Sequence, residues 1–70
     1  MSLEQHAALC AEVAIQPGHE VEVLARNGVD GELKLRADRF WRNQAARDPV
    51  ARTAWTRAFD AYHAMFTRGR

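Results

Sequence analysis

The chain has a single cysteine, Cys10, so no disulfide can form within it. The staples on which small secreted domains depend are therefore missing, which points to a reducing cytoplasm. It has only two prolines and is 47% hydrophobic, which favours a folded chain over a disordered one. No apolar run approaches the roughly 18–20 residues of a membrane span. The opening Met1-Ser2-Leu3-Glu4-Gln5-His6 has no basic start and no long apolar stretch, so no signal peptide is expected. There is no Gly-rich phosphate loop and no clustered pair of carboxylates. The usual signatures of nucleotide binding and of carboxylate acid–base catalysis are thus absent.

Seventy residues allow one domain, covering 1–70. A chain this short buries only roughly 60% of its unfolded surface, so it sits near the lower limit for folding alone. The net charge of +1 hides an asymmetry. Residues 1–32 carry Arg26 against six carboxylates, a net of −5; residues 33–70 carry nine basic residues against Asp38, Asp48 and Asp60, a net of +6. Either the halves attract each other within one fold or simply present solvated faces, or one of them is a partner surface for nucleic acid, an acidic protein or a second copy.

Local signals divide the chain into four helices. Ser2 with Gln5 fits a capping box and opens a helix over about 3–15, with Leu3, Ala7, Leu9, Cys10, Val13 and Ala14 on one side. Gln16-Pro17-Gly18 breaks it. A short second helix, about 19–27, turns Val21, Leu24 and Ala25 inward and ends at Asn27-Gly28, with Val29 folding back. His19 to Val23 alternates over five residues, but a lone strand has nothing to pair with. Asp30 caps a third helix, about 31–47, with Leu33, Ala37, Phe40, Trp41 and Gln44 inward. Asp48-Pro49 starts the fourth, about 49–67. The expected architecture is an all-α, compact four-helix bundle. Its expected core is Leu3, Leu9, Cys10, Val13, Leu24, Leu33, Phe40, Trp41, Ala54, Ala58, Tyr62 and Met65.

The fourth helix holds four of the six aromatic residues and is the expected centre of the fold. Its apolar arc runs from Val50 and Ala61 through Ala54, Met65, Ala58, Ala51, Tyr62, Trp55 and Phe66 to Phe59. That is about half the circumference, where one core face needs roughly 100°. Either the helix packs on two neighbours, or the Trp55, Phe59 and Phe66 side is left exposed to dock on another protein or a second copy. Aromatic residues and arginine are the types that anchor interfaces, so Trp55, Phe59, Phe66, Arg39, Arg42 and Arg52 are the candidate partner-binding residues.

Other chemistry finds less support. His6 and Cys10 lie four apart and, with His19 or His63, offer zinc ligands, but they share an apolar helix face and no second close ligand pair exists. His6, one turn from Cys10, could in principle activate its thiol, while Ser2, the sole serine, is better spent as a cap. A small helical domain leaves little room for a pocket. The reading is a non-enzyme with no catalytic residue, no metal, no cofactor and no small-molecule substrate. Arg36, Arg39, Asn43 and Arg47 form a stripe on helix three, which makes nucleic-acid binding the alternative function.

The order of signals also resembles a known group. It runs Leu3-Glu4-Gln5-His6-Ala7-Ala8-Leu9-Cys10-Ala11-Glu12-Val13-Ala14, a Pro-bearing turn, then Val23-Leu24-Ala25-Arg26-Asn27-Gly28-Val29-Asp30. A helix with Phe40-Trp41 follows, then Arg47-Asp48-Pro49 and a last helix with Phe59 and Tyr62. This resembles small all-helical modules found in, or appended to, large bacterial proteins, some of them associated with type VI secretion. The resemblance implies a helical interaction module, either freestanding or part of a larger protein. It brings no assigned chemistry, so no catalytic residue is carried over.

Overall fold

The starts of the first, third and fourth helices and the end of the second are each made by short-range hydrogen bonds. In the computed structural model, which describes residues 1–68, Ser2 Oγ accepts from Gln5 N at 3.1 Å and Gln5 Oε1 accepts from Ser2 N at 2.8 Å. This capping box opens α1, Leu3–Ile15. α2, Glu20–Arg26, ends in a Schellman motif. Val29 N donates to Leu24 O at 2.9 Å, Gly28 N donates to Ala25 O at 3.1 Å, and Gly28 sits at φ +68°. Val29 packs on the cluster of Leu9, Val23 and Leu24, the apolar contact that such an ending brings. Asp30 Oδ1 accepts from Leu33 N at 2.7 Å and starts α3, Gly31–Arg47. Asp48 Oδ1 accepts from Val50 N at 2.9 Å, and Pro49 occupies the first position of α4, Pro49–Arg68. No strand occurs among the described residues. The protein is an all-α bundle of four helices. Arg70, counted in the basic half, lies outside the described residues.

The centre of the bundle is α1, not α4. Four α1 residues, His6, Ala7, Leu9 and Ala11, are buried, while no α4 residue is. The most extensive helix pair is α1 with α4; α2 and α3 make smaller contacts with α1, and α3 also packs on α4. The molecule is flattened, 33 × 28 × 17 Å across its Cα atoms. The buried set is Ala7, Leu9, Ala11, Val23, Leu24 and Ala37 with His6, and Val23 is the largest side chain fully enclosed. A core of such small side chains cannot enclose every large apolar group.

Of the expected core, Leu9 and Leu24 are buried, and Leu3, Cys10, Val13, Trp41, Ala58 and Tyr62 are half-buried. Leu33, Phe40, Ala54 and Met65 are exposed, which corrects that expectation. On α2 the inward pair is Val23 and Leu24; Ala25 is exposed and Val21 is 78% exposed. On α3 the covered residues are Lys34, Ala37, Asp38, Trp41, Gln44 and Ala45. At 100° per residue this face is turned by about 60° from the expected one. The cause is Asp38: it bonds to His6 on α1 and brings the polar edge of α3 inward, so Phe40, 52% exposed, turns outward.

α4 shows the same kind of correction. Its apolar arc is as wide as expected, but the exposed edge is the opposite one. Trp55, Phe59, Tyr62 and Phe66 are half-buried, whereas Val50, Ala54, Ala61 and Met65 are exposed. Rings remove the most area from water per residue, so folding on one main neighbour turns the ring side inward.

Candidate functional site

Where α1, α3 and α4 meet, an open cleft of about 290 Å³ is lined by His6, Cys10, Asp38, Trp41, Arg42, Ala45, Arg52, Trp55 and Thr56. His6 is its buried hinge. Trp55 Nε1–H donates to His6 Nδ1 at 2.9 Å. An indole nitrogen only donates, so Nδ1 accepts, and the neutral ring carries its proton on Nε2. That N–H donates to Asp38 Oδ1 at 2.7 Å. Asp38 Oδ2 accepts from Lys34 Nζ at 2.8 Å, one turn back on α3. Cys10 Sγ lies 3.5 Å from the same His6 Nε2.

The charges follow from these contacts. Partial burial pushes the Asp38 carboxyl up, but the hydrogen bonds from Lys34 and His6 and the Lys34 charge outweigh it and hold it below its ordinary value. Partial burial works against the Lys34 ammonium, and the hydrogen bond to Asp38 with the negative charges nearby raises it above the ordinary lysine value. Burial pushes the Cys10 thiol up; Lys34 opposes this, and Asp38 and Glu20 reinforce it.

This arrangement is not a nucleophile–base–acid relay. Such a relay needs the base to face the nucleophile with one ring nitrogen and its orienting acid with the other. Here Cys10 and Asp38 share Nε2, and Trp55 holds Nδ1. Burial also keeps Cys10 as a thiol, the form that does not attack.

The ligand atoms of His6, Cys10 and Asp38 lie within 4.8 Å of one another, a spacing that a metal ion accepts. The donor chemistry does not fit one. A metal on Nε2 needs that lone pair, which moves the ring proton to Nδ1 and sets it against the Trp55 N–H. The Lys34 ammonium on Asp38 adds a positive charge beside the same position. The cluster fits a hydrogen-bonded junction that ties α1, α3 and α4 together. His19 and His63, the other ligands weighed for a metal, are not part of it.

Of the six candidate partner-binding residues, three converge on the cleft: Arg42 from α3, and Arg52 and Trp55 from α4. Trp55 is not free surface, since it is half-buried, bonds to His6 and stacks on Phe59 at 5.3 Å. Phe59 is half-buried between Trp55 and His63. Phe66 lies 5.9 Å from Tyr62 and lines a separate groove with Met1 and Leu33. Arg39 is exposed and lines neither. Trp41 and Asp38 are not read as site residues in the sequence, which places Trp41 in the core and counts Asp38 only among the carboxylates of the basic half. A buried histidine needs a polar partner, but nothing local pairs residues 32 positions apart.

The charge asymmetry is not consumed within the fold. Glu12 accepts from Arg26 and Asn27 between α1 and α2; Glu32 pairs with Arg36, and Asp38 with Lys34, inside α3. Arg39, Arg42, Arg47, Arg52, Arg57 and Arg68 have no carboxylate partner among the described residues. No helix among those residues is long and apolar enough to cross a membrane. Comparison with protein-family models, curated proteins and solved structures finds no match to this chain.

Proposed function

We propose that the chain is a non-enzymatic protein-interaction module or small adaptor that works in the cytoplasm. The observation that carries this reading is the convergence of Arg42 and Trp41 from α3 with Arg52 and Trp55 from α4 on one open cleft. Arginine and tryptophan are the residues most enriched among interface anchors, and they act best beside a partly enclosed apolar wall. Phe40, exposed and edge-on to Trp41, extends the apolar surface beside the cleft. The resemblance to type VI secretion-associated modules fits the same role, as does the size, since a small domain gains stability from attachment.

The test is photo-crosslinking in cells of the source organism. A crosslinking residue replaces Thr56, which lines the cleft, or Asp60, which is exposed elsewhere on α4. A discrete protein adduct from position 56 and none from position 60 supports the reading. No protein adduct from position 56 overturns it.

A second reading, nucleic-acid binding through α3, is favoured by Arg39, Arg42 and Arg47, all exposed and without carboxylate partners among the described residues. Against it, Arg36 is tied to Glu32 at 2.7 Å, which shortens the stripe. Nucleic-acid binding predicts affinity that falls steeply with salt. Gel shifts with no complex at low salt remove it.

A further inference from the structure

We infer that the cleft takes a glutamate or aspartate side chain from an acidic segment of a partner protein, with its carboxylate between Arg42 and Arg52. This rests on the interaction-module reading and names the chemistry of the partner at the same site. At about 290 Å³ the cleft lies at the small end of ligand pockets, so it holds one or two residues and not a folded element. Its walls are apolar where Trp41, Ala45 and Trp55 stand, which suits the stem of an acidic side chain and a neighbouring apolar residue. Its two arginines come from different helices and have no carboxylate partner among the described residues. A guanidinium pairs with a carboxylate or a phosphate through two parallel hydrogen bonds, so an unused pair of them selects an oxyanion, and the apolar wall of Trp41, Ala45 and Trp55 favours a carboxylate on a short apolar stem.

The chain's own carboxylates do not supply it. Glu12 and Glu32 are paired, Asp30 and Asp48 cap helices, and Glu4, Glu20, Glu22 and Asp60 do not line the cleft. Asp38 does line it, but the Lys34 ammonium already balances its charge and the His6 N–H occupies its other oxygen, so it is committed elsewhere and repels an incoming acid little. A nucleic-acid base is the poorer occupant. It binds by stacking, and Phe59 already covers one face of Trp55, the two rings 16° apart, while the indole N–H is committed to His6.

The experiment uses a reporter that the molecule already carries. Both of the chain's tryptophans line the cleft, so intrinsic fluorescence reads its occupancy directly. The full chain is titrated at low salt with acetylated, amidated tetrapeptides Glu-Xaa-Xaa-Glu, where Xaa is Leu, Phe or Val, with their Gln-Xaa-Xaa-Gln counterparts and with an eight-residue oligothymidylate. Expected is a saturable change with at least one Glu peptide, at least tenfold weaker binding of its Gln counterpart, and a loss of at least tenfold in Arg42→Gln/Arg52→Gln. The exposed Arg68→Gln should bind as the parent does. Circular dichroism confirms that each variant is folded. Three results overturn the inference: no saturable change with any Glu peptide, equal binding of Glu and Gln peptides, or tighter binding of the oligothymidylate. A position-56 protein adduct in cells without Glu-peptide binding would leave the module reading standing and remove only the acidic partner. Failure of both removes both.

Discussion

The indole N–H of Trp55 donates to Nδ1 of His6 at 2.9 Å, joining residues 49 positions apart. That bond sets the tautomer of a buried histidine and so decides what the His6–Cys10–Asp38 cluster can do. With Nδ1 held as an acceptor, Nε2 is the donor that reaches Asp38. One ring then joins α1 to both α3 and α4.

Removing the indole donor should therefore be felt beyond lost area. Trp55→Phe keeps a ring but leaves His6 Nδ1 without its partner. A stability loss of about 1–3 kcal/mol is expected for a buried acceptor left unsatisfied. Urea denaturation followed by circular dichroism measures it. The double variant His6→Leu/Trp55→Phe should lose less than the two single changes added, because both break the same bond. Strict additivity would show that the bond contributes nothing.

The Asp38–Lys34 pair predicts opposite responses at the two ends of the pH scale. The folded Asp38 carboxyl lies below its ordinary value of 3.8, so its contribution is full above that value and is lost as pH falls through the folded value. The folded Lys34 ammonium lies above its ordinary value of 10.5, so its contribution is full below that value and is lost as pH rises through the folded value. Melting temperature measured against pH in the parent and in Asp38→Asn isolates both limbs. The difference between the two proteins should be constant across neutral pH and shrink below about pH 4, near the unperturbed aspartate value. A difference that grows in acid would contradict the assignment.

The orientation of α4 makes a third prediction. Val50 is 76% and Met65 51% exposed, whereas Phe59 is half-buried between Trp55 and His63. Val50→Gln and Met65→Gln should each change stability by less than about 0.5 kcal/mol, as surface substitutions usually do. Phe59→Ala should cost about 3 kcal/mol, at the low end for a large-to-small change because the ring is only partly covered. Equal effects on both edges of the helix would mean that it is turned otherwise.

Two glycines should respond in opposite directions. Gly28 sits at φ +68°, and a methyl group added there would have nothing within 4 Å, so Gly28→Ala meets only backbone strain, about 1 kcal/mol. Gly31 also has open space around it but lies in the first turn of α3 at an ordinary φ. Gly31→Ala should stabilise by about 0.5 kcal/mol, part of the full Gly-to-Ala difference in a helix interior. Thermal or urea unfolding of the two variants decides both.

Four of the helix boundaries were legible in the sequence because each of these is made within a few residues. Ser2 with Gln5, Asp30 and Asp48-Pro49 place the starts of α1, α3 and α4, and Asn27-Gly28-Val29 the end of α2, through bonds that span at most five positions. The candidate site was only partly legible. Arg42, Arg52 and Trp55 stand out by residue type, but their meeting in one cleft needs α3 and α4 to be placed against α1.

What the tertiary structure alone decided is the rotation of each helix about its axis. A helical wheel says which residues share a face, and it cannot say which edge of a wide apolar arc finds a neighbour. On α4 the rings took the covered edge, which left Val50 and Met65 outside. On α3 the bond from His6 to Asp38, across 32 positions, drew a polar edge inward and left Phe40 outside. By itself the sequence determined four helices, their ends and an uneven distribution of charge. Those are local or additive properties of the chain. Packing is a competition between distant side chains for the same small interior, so its outcome belongs to the folded molecule.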